Sequence, residues 1–246
     1  MLKNILLKSL SELQREKQQD YRNVVITQII IVTFGLTLSG PVLDDSSSGI
    51  SKLIITVFFG FGTAYNFLLW DLLRNFTKSR ILIIVIFVIL IGMIIFGMLT
   101  EFPYYKIINI DRRITLLIVH GLLFPVEITI IGFAIRDIFM SQYFTPDKLW
   151  GSAAVFLMIG ISFGSLYDLL CTINPGSLGV NIELGFPTYS ECVKYSFCIL
   201  SGLDTGYPNP SRLIKNISVF EAVWGTLFSV LIIGKLLGLP KPGEQK

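Results

Sequence analysis

One histidine and three cysteines are all that the chain offers for soft-metal ligation or imidazole chemistry. Cys171, Cys192 and Cys198 have neither the number nor the spacing of a zinc site. A lone His120 leaves too little for a Ser-His-Asp triad or a His-based metal centre, so no cofactor is expected. Charge is scarce too. Only 15% of the residues are charged and 52% are hydrophobic, against about a quarter charged in ordinary globular domains. A soluble fold of 246 residues cannot cover its surface with so few polar side chains. That excludes a cytosolic enzyme, a disordered regulator and a disulfide-rich secreted module. The net charge of +3 is too weak for a nucleic-acid partner. No paired carboxylates, His-rich cluster or nucleophile motif lies at the mouth of an apolar run, so the chain is not expected to be an enzyme.

What the chain has is length of apolar sequence. A span needs about 20 mostly apolar residues, because a helix rises about 1.5 Å per residue through a core about 30 Å thick. Six stretches qualify, at residues 23–43, 50–72, 80–100, 114–139, 148–171 and 217–237. They are too long and continuous for barrel strands, and only helices or closed barrels satisfy their backbone in lipid. The fold class is therefore an all-α polytopic membrane protein with six transmembrane helices. Residues 1–22 read differently. Leu2, Ile5, Leu6, Leu10 and Leu13 recur at helical spacing among Lys3, Lys8, Arg15, Lys17 and Arg22. That pattern is an amphipathic helix at the membrane surface, without the apolar block and cleavage site of a signal peptide. The domains are then the N-terminal segment 1–22, a four-helix domain 23–139, a domain 140–240 and a tail 241–246.

Basic residues set the orientation. With both termini cytoplasmic, 13 of the 20 Lys and Arg lie inside. Lys106, Arg112 and Arg113, in the loop after the third span, fit this least well. The expected location is a plasma or inner membrane.

The connection between the fifth and sixth spans, residues 172–216, is long and not simply polar. Residues 189–200 are helix-compatible and half apolar, but too short to cross the bilayer. Residues 201–210 follow, with Gly202, Gly206, Pro208 and Pro210 interrupting any regular helix. Non-helical backbone at membrane depth is tolerated only where protein buries it or where it lines a water-filled path. A re-entrant pore loop and an ordinary outer loop with a surface helix both fit this pattern.

Tyr195-Ser196-Phe197, the Gly/Asp stretch, Pro210 and then Phe220-Glu221-Ala222 with Gly225 stand in an order that resembles the pore module of the tetrameric potassium-channel superfamily. In that family a Tyr/Phe-Ser-Phe pore helix precedes a T-V-G-Y-G filter and a proline, and the inner helix often carries F-E-A-x-x-G-x-L. The resemblance covers about residues 149–240. It implies a homotetramer in the lipid bilayer, with Tyr195, Phe197 and Glu221 in or supporting the pore helix and Gly225 as an inner-helix hinge. An ungapped register makes Gly202, Leu203, Asp204, Thr205 and Gly206 the selectivity filter. Asp204 then stands where the family has its central glycine, the residue that lets consecutive carbonyls face the axis. The Leu203-Asp204-Thr205 order resembles the acidic filters of non-selective cation channels. Four Asp204 carboxylates around one axis would concentrate cations, bind a metal ion such as calcium and repel anions. The expected permeant ions are potassium or, less selectively, potassium and sodium.

Six spans with a loop before the last also resemble the layout of the voltage-gated superfamily. The fourth span has no Lys or Arg from Ile114 to Ile135, whereas a voltage sensor needs several. Glu127 in that span is a candidate for gating, or a packing residue paired with Asn66 or a serine. Asp71 and Asp168, near span ends, read as solvated or capping carboxylates. Glu221 either complements the helix dipole or braces the pore helix, and Gly225 and Gly234 are either hinge or packing glycines. Cys171 and Cys192 fall on the same outer side, as a disulfide or as two thiols. Cys198 is expected to face the pore-helix interior, and Glu183 and Glu191 to be screened outer charges. The alternative to a channel is a secondary transporter or a membrane scaffold without a conducting pore, in which the Gly/Pro stretch is a broken binding helix or an inert loop.

Overall fold

The computed structural model of the protein describes residues 10–44, 49–101, 111–140 and 145–238, and seven helices and no strand occur among them. They are α1 (Leu10–Asp44), α2 (Gly49–Phe76), α3 (Arg80–Glu101), α4 (Arg112–Phe139), α5 (Pro146–Ile173), α6 (Phe186–Ser201) and α7 (Arg212–Gly238). Among the described residues α2, α3, α4, α5 and α7 are long and apolar enough to cross a membrane, compatible with an integral membrane protein. α1 is not counted among those five, because residues 38–44, which complete its apolar run, lie outside the residues whose side chains are described. It also runs without a break across the boundary expected at residue 22. No Gly or Pro stands between Leu10 and Phe34 to end a helix there. The amphipathic pattern from Leu2 to Leu6, the basic loop residue Lys106 and the tail 241–246 lie outside the described residues.

Helix ends follow local chemistry. The Asp111 carboxylate accepts from the Arg113 N–H at 3.0 Å and caps α4. Pro146 opens α5 at a position where its missing N–H is no loss. Inside α4, Pro125 removes one backbone donor, and the Thr129 hydroxyl donates to the Pro125 carbonyl at 2.7 Å.

The bundle is organised around α5. Of its most apolar stretch 72% is buried inside the protein, against 22% for α3. α5 packs against α1, α4, α6 and α7, whereas α3 touches only its neighbours α2 and α4 closely. One end of the bundle is tied by charge. Lys17 of α1 and Lys148 of α5 donate to the Asp137 carboxylate of α4 at 2.9 and 2.7 Å. Beside them the buried Tyr21 ring lies over Gly151, where even a methyl group would approach it to 3.0 Å.

Candidate functional site

α6 has 16 residues, a rise of about 24 Å, too little to cross the hydrocarbon core. It packs against α1, α5 and α7 and buries Ser190, Glu191, Cys192, Val193, Tyr195 and Ser196. Two glycines of α5 let it approach. A Cβ on Gly160 would lie 2.6 Å from the Phe197 ring, and one on Gly164 would lie 2.9 Å from the Val193 Cα. This Gly-x-x-x-Gly spacing is legible in the sequence as a helix-contact signal, yet it was not among the expected site residues.

Glu221, in the third turn of α7 and fully buried, joins three helices. Tyr167 of α5 donates its phenol to Oε2 at 2.7 Å, and the Ser196 hydroxyl of α6 contacts Oε1. Ser196 Oγ also lies 2.8 Å from the Gly160 carbonyl, so this one hydroxyl sits between acceptors on α5 and α7. The Tyr195 ring stands edge-on to Tyr167 and Tyr207, with centroids 5.0 and 5.7 Å away. Tyr207, beyond the loop, donates its phenol to Glu191 Oε2, and Lys194 Nζ lies 3.2 Å from the same oxygen. Burial and then the Glu191 carboxylate push the Tyr207 phenol up, which keeps it a donor. Glu191 is therefore not a screened outer charge. It is buried, because its place on α6 faces Tyr207 rather than water. On α7, a Cβ at Gly225 would meet the Leu200 side chain at 2.5 Å, so this glycine makes a close helix contact.

Between these anchored ends, residues 202–206 form the irregular segment. Gly202 takes φ 69°, left-handed backbone that ends α6, while the Leu203 N–H donates to the Cys198 carbonyl at 2.9 Å. Asp204 Oδ1 accepts from the Gly206 N–H at 3.1 Å, and Gly206 has φ 72°. Leu203 and Asp204 are exposed, and Thr205 is half-buried. Past the loop, the Ser211 N–H donates to the Ser177 carbonyl at 2.7 Å and holds the start of α7 to the α5–α6 connection. Among the described residues no three His, Cys, Asp or Glu side chains gather as metal ligands. A cation at Asp204 therefore needs carboxylates from further copies of the chain, or water.

A second set of polar groups lies where α1, α2, α4 and α5 meet. Glu127 is fully buried and accepts from the Ser162 hydroxyl at 2.9 Å. Its partners are thus the serine of α5 and the Tyr65 phenol of α2, and not Asn66. Asp168 is not solvated as its place near a span end predicts. It is fully buried, and His120 Nε2 of α4 lies 3.4 Å from Oδ2. The continuation of the chain folds back as α6 and covers that end of α5. Asp71 is exposed and pairs with Arg74 at 3.1 Å. Glu183 pairs with Arg112 at 3.1 Å. Cys171 and Cys192 are buried free thiols with sulfurs 3.9 Å apart, and Cys198 is half-buried rather than interior.

No family model matches the sequence, and no curated protein or solved structure matches it either.

Proposed function

We propose that the chain is one subunit of a tetrameric cation channel, with α1 as a sixth span and α6 as a re-entrant pore helix. The observation that carries this reading is the contrast along residues 186–225. α6 is tied to α5 and α7 through Ser196, Tyr167 and Glu221, while Leu203 and Asp204 project uncovered from its C-terminal end. A short helix held on every side, ending in an irregular exposed segment, is the arrangement that presents backbone and one carboxylate to a shared axis. The apolar face of α7, with Val219, Val223, Leu227 and Val230 exposed, supports contact with further copies or lipid.

In this reading conduction is passive. Residues 202–206 line the narrow part of the path, and four Asp204 carboxylates attract monovalent cations and bind calcium. α7 lines the inner vestibule, with flexing at Gly225. Glu127 is a gating residue whose buried carboxylate responds to rearrangement between α4 and α5. Opening depends weakly on voltage, because the interior of α4 carries no cationic side chain. Both termini face the cytoplasm. Proteoliposomes holding the purified tetramer should pass potassium or sodium far faster than protein-free vesicles. A folded tetramer that stays silent to both ions across voltage, pH and calcium would overturn the reading.

A further inference from the structure

The four-helix half holds a half-open cavity of about 490 Å³ between α2, α3, α4 and the start of α6. That is the size of a small-molecule site. Its walls are apolar and aromatic, with Phe58, Phe59, Met93, Leu116 and Phe186 among them. Lys52 and Arg112, near the starts of α2 and α4, and Glu183, in the α5–α6 connection, also line it, with Arg112 and Glu183 paired to each other. Tyr65, Asn66 and His120 line it further along their helices.

Two of those three side chains leave polar atoms unused. Asn66 Oδ1 and His120 Nδ1 are buried and make no hydrogen bond, whereas the Tyr65 phenol lies against the Gln28 and Glu127 side chains. His120 is more than nine-tenths buried. Its Nε2 lies 3.4 Å from Asp168 Oδ2 without a hydrogen bond, and Nδ1 is an acceptor in the Nε2–H tautomer of the neutral ring. Asn66 Oδ1 and, in that tautomer, His120 Nδ1 are acceptors. A buried acceptor without a donor is costly, and such groups are met by water or a ligand.

We infer that this cavity binds a lipophilic organic amine, with its apolar body against the phenylalanines and its N–H groups turned to Asn66 and His120. The N–H groups of an amine are donors, the complement of that set. A carboxylate or phosphate at the same depth would set acceptor against acceptor. Lys52 near the opening favours entry of the uncharged amine, which leaves its proton to water outside and keeps its own N–H groups as donors. Phe186, Pro187 and Tyr189 of α6 form one wall, so an occupant touches the helix that carries residues 202–206. Control of conduction by the occupant would rest on the channel reading; binding does not.

The test is equilibrium dialysis of the full-length protein in lipid nanodiscs against 2-phenylethylamine, 3-phenylpropanoate and 2-phenylethanol. The amine should bind saturably, one per chain, at least tenfold more tightly than either analogue. Gly62 lines the cavity, and a Cβ there meets no atom within 4 Å, so Gly62→Phe sends a side chain into the space from an unobstructed start. It should abolish the saturable component with the thermal unfolding midpoint unchanged. Asn66→Leu should weaken binding at least fivefold, and decides alone if Gly62→Phe fails to fold. Three results would each overturn the inference: no saturable amine binding, which leaves a water-filled crevice; equal or tighter binding of the carboxylate, which makes it an anion site; or amine binding unchanged in these variants.

Discussion

Polar groups are buried in both halves of the bundle, but the half around α6 pairs more of them. There Glu221 has two hydroxyl partners, Glu191 has Tyr207 and Lys194, and the Ser190 hydroxyl reaches across to the Gly35 carbonyl of α1 at 2.9 Å. Where α2, α4 and α5 meet, Asn66 Oδ1, His120 Nδ1 and both Asp168 oxygens have no hydrogen bond. A satisfied network in a low-dielectric interior fixes one geometry, whereas an unsatisfied one waits for a partner. The difference separates a rigid scaffold, which holds residues 202–206 in place, from a region built to change its occupancy or packing.

The sharpest way to break this contrast is Glu221→Ala. It strands the Tyr167 phenol in the interior, at about 1–3 kcal/mol for the unmet group, leaves Ser196 only the Gly160 carbonyl, and empties the space of a fully buried side chain. Denaturation in detergent should show a loss of several kcal/mol, and potassium flux should disappear. Glu221→Gln keeps one acceptor oxygen and should lie between. Next is Gly164→Ala. Its added methyl meets the backbone of Val193, which cannot swing aside, so overpacking should cost about 1–3 kcal/mol despite the gain in helix propensity. Gly160→Ala meets only the far end of the Phe197 ring, which has to tilt away rather than turn, and should cost less than Gly164→Ala in the same assay. The smallest effect is expected in the other half. Asn66→Leu removes an unused polar group and should change stability by less than about 1 kcal/mol in either direction. A large loss there would mean that Asn66 is already paired and that the two halves do not differ.

The long apolar helices were legible because composition and run length carry them directly. α3, built of Ile, Leu, Val, Phe, Met and Gly between Thr77–Ser79 and its far end, leaves no other reading. The start of α1 was harder, since nothing in its first 25 residues stops a helix and the change from polar to apolar at residue 23 marks no break in the backbone. The partners of Glu221 were not legible. Ser196 and Tyr167 lie 25 and 54 residues away, and no local pattern announces which hydroxyl turns toward a distant carboxylate. Asp168 and Glu191 were placed by distance along the chain, which says nothing about what folds back over them. The cavity had no sequence signal, because its lining comes from single residues at helical intervals on several elements. Gly160 and Gly164 did carry one, a Gly-x-x-x-Gly pair on the most buried helix.

The claim that residues 202–206 line an ion path turns on Asp204. It is exposed in the single chain, and its carboxylate turns back only to the Gly206 N–H. Four such carboxylates around an axis would repel one another and draw cations between them. The direct measurement is a single-channel recording of Asp204→Asn beside the unaltered protein, with potassium, chloride and calcium varied. The account predicts a channel that still opens, with weaker calcium block and a smaller preference for cations over anions. Unchanged conductance, selectivity and calcium block would contradict it and place the carboxylate away from the ions.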